Sequence, residues 1–358
     1  MGGSPNARGA LTLTTLLYRT AVWTLTGLLC LPHATAAQTR SSLERWVLVY
    51  AGGAKRPPYN IDDLLHLLAV VDTGGRPVSW LCSGALFLEF KADSGRFYIP
   101  VGNGAPSTGH DWEVYLDSIF APGGPIARLD SASGVMGSRV GPPDRRVELA
   151  IMVPYPDPRA DTLRFRGRMF PMHSDSSRAA AAAVFMGEVI QRFGASRPKH
   201  VSLTAFYWLY EGIPPADTGL VPRVAKEVHS KGLRFLWIPS WGAGGAERWK
   251  AFGFDEAWQQ PSYFFRPEVP TTRLDSALSR ARAAGMGLEL ELDPRLFSSW
   301  LFADRLEPYL SALESAPDLR TKPIAIYEGA GALIRLSRSR DTWHRALYER
   351  LVAILRPE

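Results

Sequence analysis

Glu289, Glu291 and Asp293 occupy every second position of Gly285-Met286-Gly287-Leu288-Glu289-Leu290-Glu291-Leu292-Asp293-Pro294, with leucines between them. Alternate side chains of a β-strand point to opposite faces, so the three acids would share one face and the leucines the other. A helix would scatter them around its circumference. Neighbouring carboxylates repel and raise each other's pKa, a cost that a cation, a shared proton or a function must offset. An exposed edge strand with a solvated acidic face is the competing reading. The leucine face and the helix-like segment before it favour a strand covered by helices.

Acids, amides and aromatics recur at the ends of other strand-like runs. Phe206-Tyr207-Trp208-Leu209-Tyr210-Glu211-Gly212 closes one such run, and Trp237-Ile238-Pro239-Ser240-Trp241 the next. Gln259-Gln260-Pro261-Ser262-Tyr263 and Tyr327-Glu328-Gly329 close two more. This is the composition of a saccharide site, in which aromatic faces cover a pyranose and carboxylates or amides bind its hydroxyls. A glycosidase of the common kind needs two carboxyl groups flanking the scissile bond. Glu211 and Glu291 are the candidate pair. Glu289, Asp293, Tyr207, Trp208, Trp237, Trp241, Gln260, Tyr263, Tyr327 and Glu328 are candidate substrate-binding residues. Each has a plainer reading: Glu211 as a solvated loop acid, the tryptophans as core or rim packing. No metal site and no cofactor are expected, because no metal-ligand spacing occurs and Gly52-Gly53 lacks the Rossmann or Walker pattern. No G-x-S-x-G elbow occurs either.

Positioning these residues requires a repeated strand–helix scaffold. Strand-like runs are Trp46 to Tyr50, one within Val78 to Phe90 ending in Leu86-Phe87-Leu88, Val147 to Pro154, His200 to Tyr207, Leu233 to Pro239, Glu256 to Pro261, the acid-striped segment, and Ile324 to Glu328. Helical spacing fills the intervals at Ile61 to Val71, Asp111 to Leu116, Pro125 to Gly137, Arg178 to Phe193, Thr218 to Lys231, Ala246 to Phe252, Arg273 to Ala284, Leu306 to Glu314 and Asp341 to Leu355. Tyr155 to Ser177 reads as one long loop. Such alternation implies parallel pairing through right-handed crossovers. The fold expected is an α/β (β/α)8 TIM barrel, a single domain with inserted loops, whose active site gathers at the C-terminal ends of the strands. A doubly wound sheet is the competitor, and it lacks its usual glycine-rich phosphate loop here.

Residues 1–37 read as a signal peptide: Arg8 and Arg19 are the only charges, an apolar run spans Ala21 to Leu31, and Ala34-Thr35-Ala36 offers small-x-small cleavage. The barrel domain would then be residues 38–358, secreted or periplasmic, with no membrane span after cleavage, since no later stretch is long and apolar enough. Loss of two arginines takes the formal charge from +6 to +4. That surplus is dispersed arginine without a basic block, so nucleic-acid binding is not expected. Cys30 leaves with the signal, so Cys82 is left alone, buried and unpaired. A carbohydrate ligand is the expected partner, and the sequence leaves the oligomeric state open.

Taken together, Asp111-Trp112-Glu113-Val114-Tyr115-Leu116, Phe206 to Glu211, Phe235 to Pro239, Trp249 to Asp255, Gln260 to Phe265 and Gly285 to Asp293 resemble a family of mostly bacterial secreted proteins catalogued as domain of unknown function 4855. The resemblance covers nearly the whole mature chain. It implies glycan chemistry, because relatives are often joined to carbohydrate-binding modules. It also implies an acid near the end of strand two, and Leu81-Cys82-Ser83-Gly84-Ala85 contains none. The strand-four, strand-seven placement of Glu211 and Glu291 resembles, at the level of fold, the largest group of retaining (β/α)8 glycosidases, although Tyr210 stands where that group has asparagine. Two functions follow: a glycoside hydrolase with a retaining carboxylate pair, or a glycan-binding barrel that has lost turnover.

Overall fold

The computed structural model describes Met1, residues 44–53 and residues 55–356; the expected signal segment lies outside them apart from Met1. Eight parallel strands close into a barrel: strand one Arg45–Tyr50, two Gly84–Leu88, three Val147–Val153, four Val201–Trp208, five Arg234–Trp237, six Glu256–Gln259, seven Gly287–Glu291 and eight Ile324–Tyr327. Strand one pairs with both strand two and strand eight, so no edge is left open. These are the strand-like runs of the sequence in their expected order. The fold is therefore a (β/α)8 barrel.

Alternation along each strand sorts side chains into an interior and a layer under the helices. Leu288 and Leu290 are buried on the helix side, while Glu289 and Glu291 face inward at 1% and 0% exposure. The acid-striped segment is thus buried on both faces, and the edge-strand reading is set aside. At the N-terminal end the interior is closed by Trp46 and Trp258, whose ring centroids are 6.3 Å apart across the barrel. Gly84 makes room for that indole: a β-carbon there would lie 2.7 Å from Trp46. Beside them the guanidinium of Arg234 is shared among Glu44, Glu148 and Glu256. Such a pre-paired cluster at the floor fixes packing rather than chemistry.

Local signals explain the helices that carry the loops. Asn60 and Thr108 form capping boxes with Asp63 and Asp111, so Asp111 is committed to the start of helix Gly109–Ile119. The alanine-rich run becomes helix Asp175–Ser196. Three expectations are corrected. The helix from Ile61 stops at Leu68, because Ala69–Val71 pairs antiparallel with Pro77–Trp80; β-branched Val70 and Val71 suit a strand. The long loop after strand three contains a hairpin, Thr162–Phe165 with Arg168–Pro171. Its two-residue turn, Arg166-Gly167, has both φ positive, matching the twist of a tight hairpin. Ala246 to Phe252 is only a 3-10 turn at Ala246–Arg248. No described helix is long and apolar enough to cross a membrane. Cys82 is buried without a disulfide partner, as its apolar neighbours suggested, and burial pushes its thiol up to about 12.

Candidate active site

Three glutamates meet at the C-terminal end of the barrel. Glu289 and Glu291 project inward from strand seven, and Glu211 reaches the same space from the segment after strand four. Their charges bear on one another: burial first, then Glu291 and Glu211, hold the Glu289 carboxyl well above the usual range. Burial also raises Glu211 to about 7, although a hydrogen bond from Gln260 opposes it. Gln260 lowers Glu289 in the same way, so one carboxamide bears on two acids. Its Oε1 accepts from the Ser262 hydroxyl at 3.0 Å, which leaves the amide protons for the carboxyls.

Glu291 is held differently. Its Oε2 accepts from the backbone N–H of Tyr263 at 2.9 Å and of Phe264 at 3.1 Å. Ser262, at φ +48°, turns the chain so that successive N–H groups aim at this one oxygen, a backbone anion nest. Those bonds favour the ionised form, whereas burial, the larger effect, lifts Glu291 to about 7. The other oxygen, Oε1, is buried with no partner, as is Oε2 of Glu289. Unpaired buried carboxyl oxygens are costly and mark places where a ligand or reacting group would be received. The support of Glu291 is therefore main chain of the strand-six loop, set in place by the left-handed Ser262, rather than a side chain.

Tyr207 and Tyr327 line the same interior. Burial and then the charges of Glu211 and Glu289 push the Tyr207 hydroxyl upward. Tyr327 shares a 3.1 Å hydroxyl contact with Tyr50 of strand one. Other expected sugar-binding residues sit elsewhere. Trp208 and Trp237 belong to the layer between sheet and helices: Trp208 packs on Tyr155 and Phe235, and Trp237 stacks on Phe254 at 5.0 Å. Strand alternation requires this, since each is one residue out of phase with Tyr207 or Leu236. The Tyr263 ring is buried under Arg305 at 3.8 Å, so its backbone serves the site while its side chain does not. The half-buried ring of Trp241 is covered by Arg273 and Arg280. Asp293 caps the turn Pro294–Phe297 and pairs with Arg295, and Glu328 is engaged by the Tyr59 hydroxyl and the Gly331 N–H.

Sequence reading missed Glu89, Tyr50 and Arg56. Leu81 to Ala85 contains the entry to strand two, not its end; the strand finishes at Leu88, and buried Glu89 follows directly. Its carboxylate takes the Nε of Arg56 at 2.8 Å, and Arg56 lies over the Tyr50 ring at 3.9 Å. The run ends in Leu86-Phe87-Leu88 in the sequence too, so the acid at the strand's end is Glu89, outside the Leu81 to Ala85 stretch in which it is expected.

The family model described as Domain of unknown function (DUF4855) matches residues 45–353, every barrel strand included. The chain belongs to that family. Among curated proteins, none matches this DUF4855 sequence. Solved structures similar to it include an endo-beta-N-acetylglucosaminidase from Cordyceps militaris, 9% identical over 88% of this chain and 91% of that one, with a TM-score of 0.43. A GH18 chitinase, ChiB, from the chitin utilization locus of Flavobacterium johnsoniae is 10% identical over 86% and 94%, with a TM-score of 0.40. A methylaspartate ammonia lyase from Citrobacter amalonaticus is 13% identical over 88% and 59%, with a TM-score of 0.39.

Proposed function

We propose that this barrel hydrolyses glycosidic bonds, with Glu211 as the acid and Glu291 as the nucleophile. The observation that carries the reading is the group of three mutually coupled carboxyls at the barrel mouth, with only Glu291 braced by backbone N–H donors. Bracing by N–H donors offsets part of the burial penalty on the Glu291 carboxylate and suits it to react ionised, while Glu289 is held toward its protonated form. In the first step Glu211 gives its proton to the leaving oxygen as Oε1 of Glu291 bonds to the anomeric carbon and the glycosidic C–O bond breaks. Water then attacks the glycosyl ester, losing a proton to Glu211 and freeing Glu291. The sugar leaves with its anomeric configuration retained. Product analysis against a broad glycan panel, with anomers read by NMR, tests this; inverted product would assign Glu291 to base catalysis on water.

Glu211→Gln separates the two roles. The variant is expected to lose about 10²–10⁴-fold in kcat on natural glycans, whose leaving oxygens need protonation. On aryl glycosides with acidic leaving groups the loss should shrink sharply. An equal loss on both substrates would remove Glu211 from the acid role.

One observation favours a second reading, a glycan-binding barrel without turnover. Glu291 is 0% exposed in this conformation, so substrate reaches it only if the rim opens. Saturable glycan binding with no product from any member of the panel would select that reading. We further propose that the protein is exported, to the periplasm or the exterior, on the strength of residues 1–37. N-terminal sequencing of the mature protein should then begin just after the Ala34-Thr35-Ala36 stretch, and an intact Met1 terminus on exported material would reject cleavage.

A further inference from the structure

Beside the carboxylates, a cavity of about 490 Å³ opens between the loop after strand one and the loop and helix after strand eight. Lys55, Arg56, Arg335 and Arg338 line it, against the single carboxylate of Asp63. Two of the cations are fixed. Arg56 is paired with Glu89 and lies on Tyr50, and Arg338 is paired with Asp62 and Asp63. Among the described residues, Lys55 and Arg335 form no ion pair. Arg335 rests over the Phe297 ring at 4.1 Å, which orients its guanidinium without neutralising it. Glu328, behind the cavity, is raised by burial to about 7, so near neutrality its charge only partly offsets the cations. The cavity adjoins the site: Tyr50 lines it and touches Tyr327 at 3.1 Å.

The rim beyond it is aromatic. Trp343 opens the last helix at 37% exposure. His344 lies between Trp343 and Phe297, with ring centroids 5.2 and 4.8 Å apart, so this strip leads to Arg335. An exposed indole on a strip leading to unpaired cations at one cavity is what a chain of sugar rings bearing negative groups would meet.

We propose that this cavity is a subsite for the anionic group of an acidic glycan, a uronate carboxylate or a sulfate ester, held by Lys55 and Arg335. The assignment rests on the carbohydrate reading of the neighbouring site, and it narrows the substrate class. Its test is binding, measured by calorimetry on the full mature protein and independent of turnover. The probes are an oligouronate, its carboxyl-reduced neutral counterpart and a sulfated neutral oligomer of equal length. The subsite predicts tighter binding of one or both charged probes, weakened by salt. Which charged probe gains identifies the source of the charge. Lys55→Gln and Arg335→Gln should each cost about tenfold on the charged probe and nothing on the neutral one. Arg223→Gln, an exposed charge on helix Leu220–His229, should cost nothing.

Equal affinity for neutral and charged probes overturns the subsite, and so does an equal loss in Arg223→Gln, which would be diffuse attraction to a basic protein. Cleavage of neutral glycans with acidic ones ignored also rejects it while sparing hydrolysis. Acidic probes bound through Lys55 and Arg335 but never cleaved would uphold the subsite and defeat the hydrolytic reading.

Discussion

Glu291→Gln is expected to abolish turnover, lowering kcat by about 10³-fold or more, while glycan affinity stays close to that of the wild type. The amide keeps the shape of the carboxyl, and its oxygen can still accept from the N–H groups of Tyr263 and Phe264. What it loses is the anion that attacks the anomeric carbon. Burial matters here: at 0% exposure no water or other side chain takes over the role from the same position. Glu289→Gln provides the contrast. Its carboxyl is already held toward the neutral form, and an amide reproduces a neutral hydrogen-bonding group. It should therefore cost far less in kcat than Glu291→Gln. Steady-state kinetics on the best substrate of the panel, with affinity measured separately, decides the matter. Full activity in Glu291→Gln would end the nucleophile assignment, and the reverse order of the two variants would transfer it to Glu289.

The scaffold was legible because barrel strands, buried on both faces, stand out as short apolar runs between helical spacings. The acid stripe was legible for the same reason, its period of two surviving inside an otherwise apolar strand. Trp208 and Trp237 show the limit of that method. Their place at the ends of strand-like runs suggests sugar platforms, but a single step along a strand moves a side chain from the mouth to the helix layer. The support of Glu291 was hidden for another cause: it comes from main-chain N–H groups, which carry no residue signature, set in place by a left-handed serine. Asp293 and Glu328 read as substrate-binding acids because the partners that occupy them, Arg295 and Tyr59, can be paired with them only once loops are folded. Glu89 is missed because the acid expected at the end of strand two is sought in Leu81 to Ala85, although the run itself ends in Leu86-Phe87-Leu88.

The same buried carboxyls should write themselves into stability against pH. A carboxyl raised from 4.5 to about 7 in the folded protein, as Glu291 is, binds its proton more tightly folded than unfolded. Its contribution is fully present below the unfolded value of 4.5, declines as pH rises, and is gone above about 7. Burial sets the sign, because taking a carboxylate out of water penalises the charged form more than two N–H donors repay. At 1.36 kcal/mol for each tenfold change in proton affinity, this difference amounts to about 3 kcal/mol. Glu291→Gln removes that titration. Its stability relative to wild type should therefore rise by about 3 kcal/mol between pH 4.5 and pH 8, whatever constant offset the amide introduces. Chemical denaturation at both ends of the window measures it. The coupling among the acids pushes the result further in the same direction, since wild type must also ionise Glu211 and Glu289 against Glu291. A variant that tracks wild type at a fixed offset across the window would mean Glu291 titrates as an ordinary surface acid. The buried, mutually repelling carboxyl cluster on which the assignment of both catalytic roles rests would then be absent.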